Sequence, residues 1–299
     1  MRGRIVPIAG AATVFVLLII FFLSAPSAWI SEEPLQPVQG QALYTGRPYP
    51  LPWNPPKAKE ASDSTPAERL IVKIKLEDED TTWLRQHEPV WQHDLVEIKS
   101  MYPHAHPEAH RPDKGRITDA YLRWIIVNYN NLPETLVFLP PADTYSRDST
   151  DVRDTLAHLQ IPFIQQSGFA NLRCPTRKSR TTCNDKVLDP FFPPQELRTL
   201  EAKIPKVWEE LFGKGVMVPS QIATVLGAEF VVSKEQVQKR SVATYLKYWT
   251  WLNRTIMDDD SSGLLFEYIW HIVFGKDAIF CPELARCECD LYDRCDGVL

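Results

Sequence analysis

Eighteen consecutive uncharged residues, Val6 to Leu23 (VPIAGAATVFVLLIIFFL), constrain this chain more than any other feature. The run approaches the ~20 residues a helix needs to cross a hydrocarbon core. A cleaved signal has a shorter apolar region, and the proline in Ser24-Ala25-Pro26-Ser27-Ala28 makes a poor cleavage site. Arg2 and Arg4 precede the run, whereas Glu32 and Glu33 follow it. Positive flanks stay cytoplasmic, so the rest of the chain is expected on the lumenal side of a secretory-pathway membrane, Golgi or ER. A cleaved signal and a secreted product form the competing reading, which puts the folded part in the same compartment. The expected organisation is a cytoplasmic tail (1–5), a signal-anchor (6–24), a stem (25–69) and a lumenal domain (70–299).

Two features downstream agree with that compartment. All six cysteines, Cys174, Cys183, Cys281, Cys287, Cys289 and Cys295, lie beyond the anchor. An even count in an oxidising lumen points to disulfides rather than to zinc, although it leaves the connectivity open. Cys174–Cys183 reads as a local loop and the last four cysteines as a C-terminal knot. Asn253-Arg254-Thr255 is an N-glycosylation sequon, with Asn253 the acceptor. Between Ser31 and Pro66 the prolines Pro34, Pro37, Pro48, Pro50, Pro52, Pro55, Pro56 and Pro66 describe an extended, semi-rigid spacer.

The remainder is long enough for one well-buried domain. Its formal charge is mild, −5 for the chain, and Lys and Arg form no long stripe, which argues against nucleic acid as a partner. Leu70–Leu76 (LIVKIKL) and Leu95–Ile98 read as strands. Ile117, Ala120, Tyr121, Trp124, Ile125 and Asn128 recur at helical spacing, and Thr135–Leu139 is a buried strand. Strand, strand, helix and strand in that order predict an α/β fold. Further on, Phe230–Val232 reads as a strand, and Ser233 caps a helix from Lys234. A helix crosses Thr244–Leu252, and a last one spans Gly263–Phe274, stopped by Gly275.

That last helix is apolar on nearly every side but carries Glu267 and His271, four residues apart and so on one face. A buried carboxylate and imidazole are costly unless they pair, bind a ligand or hold a metal. They form either a mutually satisfied structural pair or the floor of a site. Lys114-Gly115-Arg116 opens the Ile117 helix, where free N–H groups beside two cations suit a phosphate. Asp143 follows the Val137–Leu139 strand, at the strand end where a metal such as Mn or Mg would be held. His104, His106 and His110 with Glu108 have the donor types for a transition metal, though Pro103 and Pro107 exclude a regular helix. There is no Gly-x-Ser-x-Gly, Walker loop, dinucleotide fingerprint or His-Glu-x-x-His.

Several of these stretches together resemble a fungal family described as domain of unknown function 3431. They are the first strand with its acidic turn and Trp83-Leu84, Lys114-Gly115-Arg116, Ala120-Tyr121-Leu122-Arg123, and Asn128-Tyr129-Asn130-Asn131-Leu132-Pro133. Val137-Phe138-Leu139, Gly168-Phe169-Ala170-Asn171-Leu172-Arg173-Cys174, Glu267-Tyr268-Ile269-Trp270-His271 and the terminal cysteines continue it. The layout is similar to a GT-A glycosyltransferase, a Rossmann-like mixed sheet. That likeness implies Lys114 and Arg116 toward a diphosphate, Asp143 toward the metal, and Glu267 and His271 as the catalytic floor. The sequence departs from the family where Pro140-Pro141 replaces a histidine and glycine, and where Tyr145-Ser146-Arg147-Asp148 replaces a Trp-His pair. The expectation is a metal-dependent transferase using a sugar nucleotide and a glycan or small-molecule acceptor. The alternatives are a non-catalytic accessory protein and a tailoring enzyme of secondary metabolism.

Overall fold

Continuous apolar runs along the central strands decide the architecture. The computed structural model describes residues 55–63, 65–76, 78–87, 90–98, 114–115, 117–141, 152–175, 183, 187–191 and 200–295. The strands are β1 (Arg69–Leu76), β2 (Gln92–Ile98), β3 (Thr135–Leu139), β4 (Phe169–Asn171), β5 (Ala223–Thr224), β6 (Phe230–Ser233) and β7 (Ile279–Phe280). The helices are α1 (Thr118–Asn128), α2 (Val152–His158), α3 (Ile161–Ser167), α4 (Leu200–Phe212), α5 (Lys234–Gln238), α6 (Val242–Arg254), α7 (Asp259–Val273) and α8 (Leu284–Tyr292).

Five strands form one mixed sheet in the order β2-β1-β3-β6-β4. β1 is parallel to both β2 and β3, and β6 runs antiparallel between β3 and β4. A strand's side chains alternate faces, so Val72, Ile74, Leu136, Phe138, Phe169, Phe230 and Val232 meet one helical layer, built from α1, α4, α6 and α7. Ile71, Val137, Leu139, Ala170 and Val231 meet a thinner layer of α2, α3, α8, Leu84 and Trp91. Burial on both faces is why β1 and β3 read as apolar runs rather than alternating ones. The α/β class and the strands and helices expected from Leu70 to Leu252 are present. The helix expected at Gly263–Phe274 is α7, begun earlier by the Asp258 cap, whose carboxylate accepts Ser261 N–H at 2.7 Å. Gly275, at φ +74°, ends it, but it is not the last helix, since α8 follows.

Residues 59–62, read in sequence as part of the stem (25–69), lie along the close of α1. Lys59 N–H donates to Val127 O at 2.8 Å, and Asn131 Nδ2 donates to Glu60 O at 2.8 Å. The apolar segment of residues 6–23 lies outside the described residues. Among the described residues no helix is long and apolar enough to cross a membrane.

All six cysteines are bonded, consistent with an oxidising secretory-pathway lumen. The pairing differs from the local loop and terminal knot expected. Cys174 joins Cys287, Cys183 joins Cys281, and only Cys289–Cys295 is local. The reason is topological: β4, α8 and β7 are neighbours in space, and sequence spacing does not reveal that. Cross-linking a longer loop removes more unfolded-chain entropy, so the Cys174–Cys287 link, at a separation of 113, should stabilise more than Cys289–Cys295, at 6. Replacing Cys174 and Cys287 by alanine is expected to cost about 5 kcal/mol and replacing Cys289 and Cys295 about 2 kcal/mol, measured by denaturant unfolding.

Candidate functional site

The connections around β1 define a switch point. The chain leaves β1 toward β2 on one side, through the thinner layer, then crosses back over β1 by way of α1 to β3. In such sheets ligands bind outside the carboxyl ends of the strands where the connections diverge, here between β1 and β3. Lys73, only 1 % exposed, forms the floor there. Its Nζ donates to Pro140 O at 2.6 Å and pairs with Glu79 Oε1 at 2.6 Å. On the other flank of β3, Arg173 after β4 pairs with Glu229 before β6, a carboxylate 4 % exposed. Sequence reasoning missed both pairs. Lysine inside the apolar LIVKIKL run, followed by an acidic turn, was the signal for the first. The second joins residues that only the antiparallel β4–β6 pairing brings together.

Lys114-Gly115 stands at the start of α1, as expected, but its donors are engaged. Gly115 N–H donates to Asp259 Oδ1 at 2.9 Å, while Lys114 Nζ pairs with the same oxygen at 3.3 Å and donates to Met257 O at 2.8 Å. The Asp259 carboxylate thus sits where the sequence offered a place to a phosphate. Gly115 is required at φ +64°, and a Cβ there would come within 2.8 Å of Leu252. Arg116, Asp143, His104, His106, His110 and Glu108 lie outside the described residues. Among the described residues no three His, Cys, Asp or Glu side chains gather to hold a metal. An open depression of about 380 Å³ lined by Ala67, Glu68, Arg69, Val90 and Gln92 lies at the opposite, amino-terminal edge of β1 and β2, away from these residues.

Glu267 and His271 share α7 but differ in surroundings, Glu267 half-buried and His271 1 % exposed. The imidazole stacks on Phe280 and its Nε2 lies 3.1 Å from Ala278 O. A carbonyl only accepts, so Nε2 carries the proton, and Nδ1 is left without a hydrogen-bond partner. Ala278 O also accepts Ala223 N–H, so His271 braces the β5–β7 ladder. Burial holds its pKa down, to about 4.

Asn253 belongs to a buried network between α1 and α6. Its Nδ2 donates to Asp119 Oδ1 at 2.8 Å and to Trp249 O at 3.0 Å. Asp119 is 1 % exposed and also accepts from Arg123 Nε at 2.8 Å. Desolvation raises its pKa against the pull of Arg123 and Asn253. A glycan on Nδ2 would replace one of those two donated bonds.

Two outcomes follow from these environments. His271 has a folded pKa below its unfolded value, so the stability it supports is complete above pH ~6.5 and is lost as pH falls toward 4, on the order of 3 kcal/mol. His271→Asn, which keeps a donor for Ala278 and cannot take up a proton, should flatten that part of the stability–pH curve measured by urea unfolding. Asn253→Ala should destabilise by roughly 1–3 kcal/mol by leaving Asp119 short of a donor. Asn253→Asp should cost more, because it sets a second carboxylate beside the first; thermal denaturation ranks the two.

The family model described as "Protein of unknown function (DUF3431)" matches residues 71–290. No curated protein and no solved structure matches the chain. The match begins inside β1, ends within α8 and takes in both buried ion pairs, the Lys114-Gly115 turn and the Glu267–His271 helix. With most of its length covered, the chain belongs to the DUF3431 family of proteins of unknown function.

Proposed function

We propose that this is a type II, single-pass membrane protein whose lumenal domain is a metal-dependent enzyme of the glycosyltransferase type, acting on a sugar nucleotide and a glycan or small-molecule acceptor. The observation that carries it is the β1–β3 switch point, with α1 opening on Lys114-Gly115 and Asp143 four residues beyond Leu139. The layout is a fold-level analogy to a GT-A enzyme. Mn or Mg accepts one protein carboxylate together with phosphate oxygens, so a single Asp143 fits the donor chemistry. Bound there, such an ion neutralises the charge of a departing diphosphate. Lys114 and Arg116 face the phosphates in this reading, with Lys114 exchanging Asp259 for the ligand. Glu267, the half-buried acid of the pair, acts on the acceptor, and His271 shapes the floor with its proton held by Ala278. The anchor rests on Val6–Leu23 and its flanking charges, and Asn253 stands as the glycan acceptor.

One observation favours a second reading, a non-catalytic accessory protein that binds glycans or assists a biosynthetic complex. Asp259 already occupies the position proposed for a phosphate. The two readings separate in a thermal-shift screen of the purified chain against nucleoside diphosphates and their sugar esters, with and without manganese. A manganese-dependent rise in Tm with one nucleotide supports the transferase, and no rise from a folded sample supports the accessory protein. Glu267→Gln is expected to abolish turnover while leaving Tm and expression level unchanged; loss of Tm or of expression would make Glu267 structural.

A further inference from the structure

We infer that Lys73 is a positioning residue, a clamp that fixes the mouth of the β1–β3 crevice. The inference rests on the nucleotide-binding reading of that crevice. β1 is covered on both faces, and its neighbours Ile71, Val72 and Ile74 are fully buried. Lys73 points into the thinner layer with Ile71, Val137 and Leu139, where an aliphatic side chain would pack without taking an ammonium out of water. A buried ion pair adds little stability over an apolar pair of similar volume. What it supplies instead is direction.

The bonds to Glu79 and Pro140 reach out of the sheet into the exits of the two strands that flank the switch point. Glu79 lies in the turn after β1, and Pro140 is the first residue after β3. The Glu79 carboxylate extends the tie, because Oε2 accepts Leu76 N–H at 3.3 Å while Glu79 N–H donates to Leu76 O at 3.1 Å. One ammonium therefore holds the last residue of β1, its turn and the exit of β3 in a single hydrogen-bonded unit. Ligand groups that bridge the two exits need that spacing held before they arrive, since a misplacement of about 1 Å at such a site costs on the order of a hundredfold. The residues tied are backbone and turn, so Lys73 acts through them rather than on a substrate.

Lys73→Met alone takes the buried cation away from the Glu79 carboxylate and is expected to destabilise the fold, so the informative variant is Lys73→Met with Glu79→Gln. The amide keeps an acceptor for Leu76, and the two substitutions together remove both charges. In the full chain this double variant is expected to keep its Tm within a few degrees of the parent. Hydrogen exchange at Leu76, Glu79 and Leu139 should quicken, while exchange at Val72 and Val137 stays slow. The affinity for uridine or guanosine diphosphate with manganese, whichever shifts the parent, should fall roughly tenfold or more. Unchanged exchange at the strand exits, or unchanged affinity, overturns the clamp. If neither diphosphate binds the parent, the nucleotide reading itself fails and the positioning role falls with it. A double variant that loses Tm as far as Lys73→Met alone makes the pair structural and also overturns the inference.

Discussion

Two-sided burial of the central strands is the constraint on which everything else here depends. With β1, β3 and β6 covered by helices on both faces, their side chains are committed to one or the other layer, and a slip of one residue would exchange the layers. The register Val72↔Phe138 and Phe138↔Phe230 is therefore firmly set. It places Tyr121, Phe138, Phe230, Trp270 and Phe274 in one aromatic cluster, with neighbouring centroids about 5 to 6 Å apart. The helices inherit their positions from this cluster, and on the other face the Cys174–Cys287 disulfide ties α8 to the chain leaving β4.

A sheet closed on both faces leaves only its edges for chemistry, and this one gathers its buried charges at the carboxyl edge of the parallel strands. Lys73 with Glu79, Arg173 with Glu229 and Lys114 with Asp259 each match a cation to an acid, the last two across long sequence separations. Such pairs are costly to bury and specific in geometry, so they fix loops more than they add stability. The opposite end is organised differently. There Arg240 and Gln236 donate to the last carbonyls of α7, Ile272, Val273 and Phe274, satisfying the acceptors that every helix terminus leaves open. The ion pair at that end, Lys234 with Glu134, is more exposed than Lys73 with Glu79 or Arg173 with Glu229.

The pair first drawn together by sequence shows how far spacing reaches. Glu267 and His271 share a helix face by periodicity alone, and that much is correct. Their surroundings diverge because burial is a tertiary property. His271 falls against Phe280 and the Ala278 carbonyl of a strand with no counterpart in the helix pattern, whereas Glu267 keeps partial access to solvent. Asn253 makes the same point from a short motif. The sequon is a linear signal, but Asp119, which accepts a hydrogen bond from its Nδ2, lies 134 residues earlier.

By itself the sequence determined the α/β class, most of the elements from β1 to α7, the caps at Ser233 and Gly275, and an even set of cysteines suited to an oxidising compartment. Each of these is written in local periodicity, capping chemistry or composition, which act over a few residues. Only the tertiary structure decided the disulfide partners, the carboxylate that occupies the Lys114-Gly115 turn, the buried ion pairs flanking β3, and the separate environments of Glu267 and His271. These depend on which elements pack together, and the free energy that selects the packing comes from the summed burial of both layers rather than from any one segment.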